Sequence, residues 1–259
     1  MKSQTAIQLS HVSKVYANGT IALQDASLTI NESQFVTLIG PSGCGKSTLL
    51  RIIAGLSSAS SGKIEWGSPV RQELAFVFQE PALMPWANVK DNVRLPLKLA
   101  GIPKKASENE VLEALQLVGL DGFALAYPRQ LSGGMKMRVS IARALVTQPN
   151  VLLMDEPFGA LDEITRSQLN HQLLDLWSQK RWTVVFVTHN IYEAVYMSNR
   201  VLVMANSPGR IFAEVPIEVP YPRSEEFRIS PEYNKYCREV SARLSEAMME
   251  SYTRVSGVG

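Results

Sequence analysis

The stretch of sequence that decides the fold reads Gly40-Pro41-Ser42-Gly43-Cys44-Gly45-Lys46-Ser47-Thr48. It follows the pattern G-x-x-x-x-G-K-[ST], in which glycines let backbone N–H groups turn inward around phosphate oxygens. The apolar run from 35 to 39 predicts a buried parallel strand before it, and residues 47 to 56 predict a helix after it, ended by Gly55. A glycine-rich loop between a strand and a helix N-terminus is an arrangement that holds phosphate groups. The sequence therefore predicts an α/β fold with a phosphate-binding loop.

Two side chains of this loop have predicted roles of their own. The Lys46 ammonium is a point charge that would reach the β- and γ-phosphates of a nucleotide, and the Ser47 hydroxyl is a ligand for Mg²⁺. The alternative interpretation is a glycine-rich surface loop without a ligand. The strand before the loop and the helix after it are the context that the motif requires, so they favour the nucleotide site.

A pair of carboxylates follows an apolar run further along the chain. Residues 151–154 predict a buried strand, and Asp155 and Glu156 come directly after it. At the carboxyl end of a parallel strand, Asp155 would hold Mg²⁺ through water, and Glu156 would act as general base toward an attacking water. An ordinary acidic turn after a strand is the alternative, and the phosphate loop upstream favours the catalytic interpretation.

The composition excludes some classes of function. The chain has 259 residues, 46% of them hydrophobic, and its 26 basic residues nearly cancel its 24 acidic ones. A nucleic-acid-binding protein usually carries a clustered basic excess, so neither DNA nor RNA is expected as a partner. The two cysteines, Cys44 and Cys237, have no metal-binding spacing and predict free thiols in a reducing compartment. We see no signal peptide and no run of about 18 apolar residues, which predicts a soluble chain.

The hydrophobic pattern divides the chain into regions. Residues 1–88 and 146–220 predict an α/β core, because short apolar runs of β type recur there. Between them, residues 89–145 lose the strand pattern and show helical spacing, which predicts an inserted helical subdomain. Residues 221–259 predict a tail with a proline-punctuated linker and a helix from 231 to about 250.

Some local signals are also specific. Residues 7–16 and 21–30 predict two strands joined by a hairpin turn, the second broken near Asp25. Ser107, with Glu110 three residues later, predicts a capping box at the start of a helix.

A five-residue segment, Leu131-Ser132-Gly133-Gly134-Met135, narrows the family. By itself it predicts a flexible turn, but with the phosphate loop it resembles the signature motif of the nucleotide-binding subunit of the ABC transporter superfamily. The usual fifth residue of that motif is Gln, and Met135 stands in its place. The resemblance implies a P-loop NTPase fold, with a RecA-like core, an N-terminal antiparallel β subdomain and an inserted α-helical subdomain. It also implies that Ser132 and both glycines contact the γ-phosphate of an ATP bound by the other subunit.

Four further residues stand in the order that this family shows. Gln79, after an apolar run at 74–78, resembles the Q-loop glutamine that contacts Mg²⁺ or water. Asp162 resembles the D-loop aspartate that couples two sites, His189 the switch histidine at the γ-phosphate, and Tyr16 the aromatic residue that stacks on adenine. Each has an ordinary alternative when it is taken singly, as a polar loop residue or a core aromatic residue. The ordered set from 16 to 189 carries the resemblance.

Three longer stretches, at 79–86, 154–162 and 188–196, resemble the importer ATPases of the nitrate, sulfonate, taurine and bicarbonate type. The resemblance implies an ATPase at the cytoplasmic face of the inner membrane that energises uptake of a small solute. It implies as partners a second copy or a homologous ATPase subunit, an integral membrane permease and, indirectly, a periplasmic solute-binding protein. The rival interpretation is a non-transport ABC ATPase of the DNA-repair or translation type. The apolar cluster at 83–86 is either a permease-binding groove or packing against the helical subdomain.

Cys44 lies inside the phosphate loop at the start of a helix. Such a position lowers a thiol pKa, and we therefore expect a thiol-alkylating reagent to inhibit ATP hydrolysis, with ATP protecting the thiol. The alternative, which we favour for function, is a small residue that merely fits the loop.

Overall fold

The structure is a computed structural model that describes residues 4–67, 74–206 and 208–256, with side chains up to Ser251. Its strands are β1 (Thr5–Val15), β2 (Ile21–Asn31), β3 (Phe35–Ile39), β4 (Ser61–Trp66), β5 (Leu74–Val77), β6 (Val151–Asp155), β7 (Thr183–Val187), β8 (Arg200–Ala205) and β9 (Arg210–Pro216). Its α-helices are α1 (Lys46–Ile53), α2 (Val89–Leu99), α3 (Glu108–Leu117), α4 (Gly133–Leu145), α5 (Glu163–Lys180), α6 (Ile191–Met197), α7 (Glu225–Arg228) and α8 (Pro231–Ser256). Two 3-10 turns, Asp121–Phe123 and Pro128–Gln130, lie between α3 and α4.

The chain divides into two units. The first combines Met1–Gln72 with Arg181–Gly259, and the second is Glu73–Lys180. The predicted core segments and the predicted tail extend over residues 1–3, 68–73, 207 and 257–259, which lie outside the described residues.

Strand β3 is central in the parallel sheet of the first unit. It pairs in parallel with β7 on one side and β8 on the other, and β9 continues the sheet as an antiparallel edge. Every residue of β3 and β7 is buried, because α1 and α6 pack against these strands. A strand covered on both faces has no need of polar alternation, which explains the continuous apolar runs in the sequence.

The N-terminal strands form an antiparallel sheet of order β2-β1-β4 in the same unit. The predicted hairpin turn is confirmed: Tyr16 N–H donates to Thr20 O at 2.9 Å, and Gly19 has a φ of 82°. The predicted break near Asp25 is a local irregularity, with a φ of 53°, inside a strand that continues to Asn31. Strand β4 was not predicted, because it is an exposed edge strand specified by its pairing with β1 rather than by its own pattern.

The second unit pairs β5 and β6 in parallel and packs α2, α3 and α4 against one another. Within the described residues from Val89 to Leu145 the secondary structure is helical, as the sequence predicts. Helix α3 begins directly after Ser107, and its buried side chains include Val111 and Leu115, whereas Leu112 is 40% exposed.

The predicted capping box at the start of α3 is wrong. The Ser107 side chain makes no capping hydrogen bond, and Ser107 N–H already donates to Pro103 O at 3.1 Å. The hydroxyl is fully buried and donates to the Pro103 and Lys104 carbonyls, while it accepts from Arg94 Nε at 3.1 Å. A preceding turn therefore satisfies the Ser107 N–H that the Glu110 side chain would have bonded in a capping box, and sequence spacing does not reveal that turn.

The C-terminal segment belongs to the first unit. Helix α8 is longer than predicted, and it packs on β8, β9, α6 and the short helix α7, which was not predicted. Among the described residues, no helix combines the length and apolarity that crossing a membrane requires.

The buried Ser107 hydroxyl gives a test of whether this residue bonds Arg94 or forms a capping box with Glu110. We expect Ser107→Ala to lower the free energy of unfolding by about 1–3 kcal/mol, because Arg94 Nε loses a buried acceptor. Glu110→Ala is the control and should lower it by no more than about 0.5 kcal/mol, since no capping bond is lost. Urea denaturation of the purified chain measures both changes. If Glu110→Ala lowered the free energy of unfolding more than Ser107→Ala did, the capping box would be supported after all.

Candidate nucleotide-binding site

The loop after β3 needs glycine where the backbone passes close to its neighbours. A Cβ on Gly45 would lie 2.7 Å from Ala22 O, and Gly45 has a φ of 91° in the left-handed region. A Cβ on Gly40 would lie 2.6 Å from Met204 O. A side chain at either position would displace backbone, so the loop shape excludes larger residues.

The start of α1 is suited to bind an anion. Its N-cap is Gly45, which offers no side-chain cap, and the described first turn contains no acidic residue. The first N–H groups of a helix have no intrahelical acceptor and carry the positive end of the helix dipole. This end of α1 is therefore left for a phosphate rather than for a carboxylate of the chain.

The Lys46 side chain folds over the same loop. Its ammonium donates to Gly40 O at 2.8 Å and to Pro41 O at 3.1 Å, and the residue is only 6% exposed. The charge is thus held at the loop, beside the helix N-terminus, as the motif predicts.

The expected lowering of the Cys44 thiol pKa is wrong. The residue is fully buried, and burial raises the pKa of its thiol although the neighbouring Lys46 acts in the opposite direction. The helix position lowers a thiol pKa only when the thiolate can be solvated or paired, and here desolvation is the larger effect. The structure supports the alternative interpretation, a small residue that fills the interior of the loop.

Tyr16 lies beside the phosphate loop. Its ring is 42% exposed just beyond the end of β1, and its hydroxyl is 3.3 Å from Thr48 Oγ1. The Lys14 ammonium lies 5.3 Å from the ring centroid. An exposed aromatic face next to a phosphate site is what stacking on a purine base requires.

His189 lies at the same sheet edge as the phosphate loop, because β7 and β3 are parallel neighbours with Leu38 opposite Val187. The turn that carries it is fixed by residues that were not predicted. Thr188 Oγ1 donates to Glu193 Oε2 at 2.5 Å and accepts from Asn190 N–H at 3.0 Å. Asn190 caps α6 by accepting from Tyr192 N–H and Glu193 N–H. The Thr-x-Asn spacing before a short helix is the sequence signal that could have revealed this cap.

The second unit brings Gln79, Asp155 and Glu156 to one edge. Strands β5 and β6 pair in parallel with Val77 opposite Met154, so the residues that follow emerge together. Asp155 is 3% exposed, whereas Gln79 is exposed. Glu156 has a φ of 46°, a conformation that costs about 1–3 kcal/mol for a side chain of this type. Such local strain is found at functional sites, where the surrounding structure holds it.

The Leu131–Met135 segment starts helix α4. Ser132 is the N-cap, and its hydroxyl accepts from Met135 N–H at 3.2 Å, which leaves its proton available to donate. Gly133 is exposed with open space at its Cβ position. Gly134 packs against α5, where a Cβ would lie 2.8 Å from Thr165 Cγ2. This helix start, too, has no acidic residue in its described first turn.

Arg143 connects this helix with the loop after Gln79. Its guanidinium donates to Pro81 O at 2.7 Å and Ala82 O at 2.9 Å, and burial lowers its pKa. These hydrogen bonds therefore fix the position of α4 relative to the loop after Gln79 within the second unit.

Asp162 caps α5 by accepting from Thr165 N–H at 2.9 Å, and this bond lowers the pKa of its carboxyl. Arg166 donates to Phe158 O and Leu161 O, so the segment between Glu156 and α5 is also fixed.

The predicted site residues are divided between the two units. The first unit contains Tyr16, the phosphate loop and His189. The second contains Gln79, Asp155, Glu156, the 131–135 segment and Asp162.

Comparisons with known proteins agree with these features. A family model described as ABC transporter matches residues 23–159. A protein of Brucella abortus (strain 2308) that carries the name ATP-binding protein is 50% identical over 219 residues, covering 83% of this chain and 84% of the relative. An aliphatic sulfonates import ATP-binding protein of Bacillus cereus is 46% identical over 226 residues, covering 85% of this chain and 89% of the relative.

Among solved structures, a dimeric bacterial ABC transporter cassette aligns with a TM-score of 0.73 and 34% identity, covering 83% of this chain and 100% of the cassette. The same cassette in a post-hydrolysis state with ADP and phosphate aligns with a TM-score of 0.72 and 33% identity, with the same coverage. Sequence identity and fold therefore point to one family. The chain belongs to the ABC transporter family of ATP-binding subunits.

Proposed function

We propose that this chain is the ATP-hydrolysing subunit of an importer that drives uptake of a small, anionic solute through a separate permease. The observation that carries the proposal is a pair of helix starts without acidic residues in their described first turns, α1 at the phosphate loop and α4 at Ser132. The chain also has a buried strand that ends at Asp155 and is followed by Glu156. The relatives named for import of aliphatic sulfonates support a sulfonate, nitrate or bicarbonate as the solute.

ATP would be held mainly by the first unit. The N–H groups around Gly40–Thr48 would bind the phosphates, Lys46 would move from its loop carbonyls to the β- and γ-phosphates, and Tyr16 would stack on adenine. His189 would donate a hydrogen bond to the γ-phosphate. The exposed ring of Tyr16 and the uncapped start of α1 support these roles.

Mg²⁺ would be held by Ser47, Gln79 and Asp155 together with phosphate oxygens. The described residues contain no cluster of three or more His, Cys, Asp or Glu that could form an all-protein metal cage. Mg²⁺ is usually bound through one or two carboxylates together with phosphates and water, and Asp155 is the one carboxylate of the proposed set. When bound, the ion would neutralise charge on the phosphates.

Glu156 would accept the proton of the attacking water. Its place directly after the buried Asp155, in a left-handed conformation, directs the chain into the turn that precedes α5. Gln79, at the same edge, would orient the water or contact the metal.

Two copies would be needed for turnover. Ser132 and Gly133 present an exposed helix start with a hydroxyl, and Gly134 continues it as a buried residue packed against α5. This start would suit the γ-phosphate of a nucleotide bound by another copy. Asp162 would couple the two sites. The dimeric state of the related cassette supports this arrangement, with a homologous subunit as the alternative partner.

The permease would dock on the second unit. Its loop from 83 to 86 ends in Trp86, which is 77% exposed, and Asn92 fixes the loop by bonding both Met84 and Ala87. A rigid loop that exposes an aromatic side chain is typical of an interface rather than of a core. A periplasmic solute-binding protein would act through the permease, and the chain would lie peripherally at the cytoplasmic face of the inner membrane.

The division into regions fits this function. We propose residues 1–88 and 146–220 as the ATP-binding core, 89–145 as the helical subdomain and 221–259 as a C-terminal tail. A non-transport ABC ATPase is the alternative, and coverage of 89% of an import relative's length argues against it.

The general base gives the first test. We expect Glu156→Gln to slow ATP hydrolysis by about 10²- to 10⁴-fold, because a glutamine cannot accept the proton of the attacking water. ATP-dependent dimerisation should become tighter, since ATP persists between the copies. Phosphate release and light scattering measure the two effects, with Glu239→Gln on α8 as the control. Turnover at the wild-type rate in Glu156→Gln would remove Glu156 from this role.

The exposed Trp86 gives a test of transport. The Glu156→Gln form, loaded with ATP and extracted gently from its native membranes, should bring an integral permease with it. We expect Trp86→Ala in that background to reduce the recovered permease, because the buried indole of an interface is lost. Met249→Ala, at a side chain that is 70% exposed on α8, is the matched control. Recovery of soluble repair or ribosomal proteins, with no membrane protein, would contradict import.

The burial of Cys44 gives a third test. In the folded chain we expect Cys44 to react with iodoacetamide far more slowly than in denaturant, because its thiol is buried and its pKa is raised. Cys44→Ser should retain ATP hydrolysis, since the thiol has no chemical role. Peptide mapping by mass spectrometry measures the labelling. Rapid stoichiometric labelling of Cys44 in the folded chain would show that its thiol is accessible and reactive.

A further inference from the structure

The C-terminal segment holds the helix that begins directly after His189. Helix α6 has seven residues, about two turns, and a helix this short is marginal without tertiary partners. Its last carbonyl groups also need donors from outside the helix. Residues from Tyr221 to Tyr233, called here the C-terminal clasp, supply those donors.

Arg223 is the centre of the clasp. It is 3% exposed, and its guanidinium donates to Val195 O at 2.9 Å and Tyr196 O at 2.8 Å, at the end of α6. The same guanidinium donates to Val219 O at 3.1 Å in the segment after β9. A cation at a helix C-terminus also complements the helix dipole, so Arg223 fixes both the position and the direction of α6.

Two tyrosines extend the clasp along the helix. Tyr221 Oη donates to Met197 O at 2.8 Å, and Tyr233 Oη donates to Tyr192 O at 2.9 Å. The rings of Tyr192 and Tyr233 stack with centroids 6.4 Å apart. The clasp therefore contacts α6 from its first turn to its last residue.

The first turn of α6 is connected to the histidine. Asn190 Oδ1 accepts from Tyr192 N–H, and the Thr188 hydroxyl joins Asn190 N–H to the buried Glu193 carboxylate. His189 lies between the two residues that these bonds fix. A shift of α6 would move both of them, and the imidazole with them.

We propose that the C-terminal clasp positions His189 for ATP hydrolysis, with Tyr233, Tyr221 and Arg223 acting as positioning residues through α6. The inference rests on the proposed function, in which His189 contacts the γ-phosphate. In this proposal, loss of a clasp contact lowers the rate of ATP hydrolysis. If the C-terminal segment only packed on the core, the same loss would lower the stability of the fold and leave the rate unchanged.

A double-mutant cycle tests the inference on the purified full-length chain. We expect Tyr233→Phe, which removes one hydroxyl and keeps the ring, to lower kcat roughly threefold to tenfold and leave the KM for ATP unchanged. In a His189→Ala background the same substitution should change kcat by less than about twofold, because the group that it positions is absent. Single-turnover hydrolysis of labelled ATP measures the slow variants.

Tyr236→Phe is the matched control on the same helix, because the Tyr236 hydroxyl accepts from Glu218 N–H in the segment after β9 rather than from a group of α6. It should leave kcat within about twofold of the wild type. Tyr221→Phe is the second clasp variant, used if Tyr233→Phe fails to fold, and it should show the pattern expected of Tyr233→Phe. Circular dichroism and thermal melting establish that each variant is folded.

The outcomes separate the inference from the proposed function. A lowered kcat in His189→Ala, with an undiminished effect of Tyr233→Phe in that background, would overturn the inference alone. Wild-type kcat in folded Tyr233→Phe and Tyr221→Phe would also overturn it alone. Wild-type turnover in His189→Ala would overturn the role of His189 and the inference that depends on it.

Discussion

The backbone of the phosphate loop passes so close to its neighbours that side chains are excluded at two positions. A Cβ on Gly45 would reach Ala22 O, and one on Gly40 would reach Met204 O. That close approach lies directly before α1, whose N-cap Gly45 offers no capping side chain. The shape of the loop is therefore set by its contacts with β2 and β8.

The start of α4 resembles the start of α1 in its free helix N–H groups but has a different N-cap. Ser132 caps α4 with its hydroxyl and keeps a proton to donate, whereas Gly45 caps α1 without a side chain. Both described first turns lack acidic residues, which would compete with a phosphate. In the proposed function, each nucleotide would lie between the start of α1 in one copy and the start of α4 in another.

Polar side chains fix the loops between these elements. Arg143 holds the loop after Gln79, Asn92 holds the loop that exposes Trp86, and Arg223 holds the end of α6. Each donates hydrogen bonds to backbone carbonyl groups of another segment. Loop shape in this protein thus depends on contacts between residues that are distant in sequence.

The sequence by itself determined the phosphate loop, the buried strands β3, β6 and β7, and the order of the site residues from Tyr16 to His189. These features can be recognised within short segments, since the glycine pattern is a motif of consecutive residues and a short apolar run between turn signals is typical of a buried strand. The tertiary structure decided that Cys44 is buried and that β4 forms an edge strand. It also decided that Ser107 accepts a hydrogen bond from Arg94 and that the C-terminal clasp bonds α6. Desolvation, strand pairing and long-range hydrogen bonds arise only when distant segments meet, so no spacing within the chain could have revealed them.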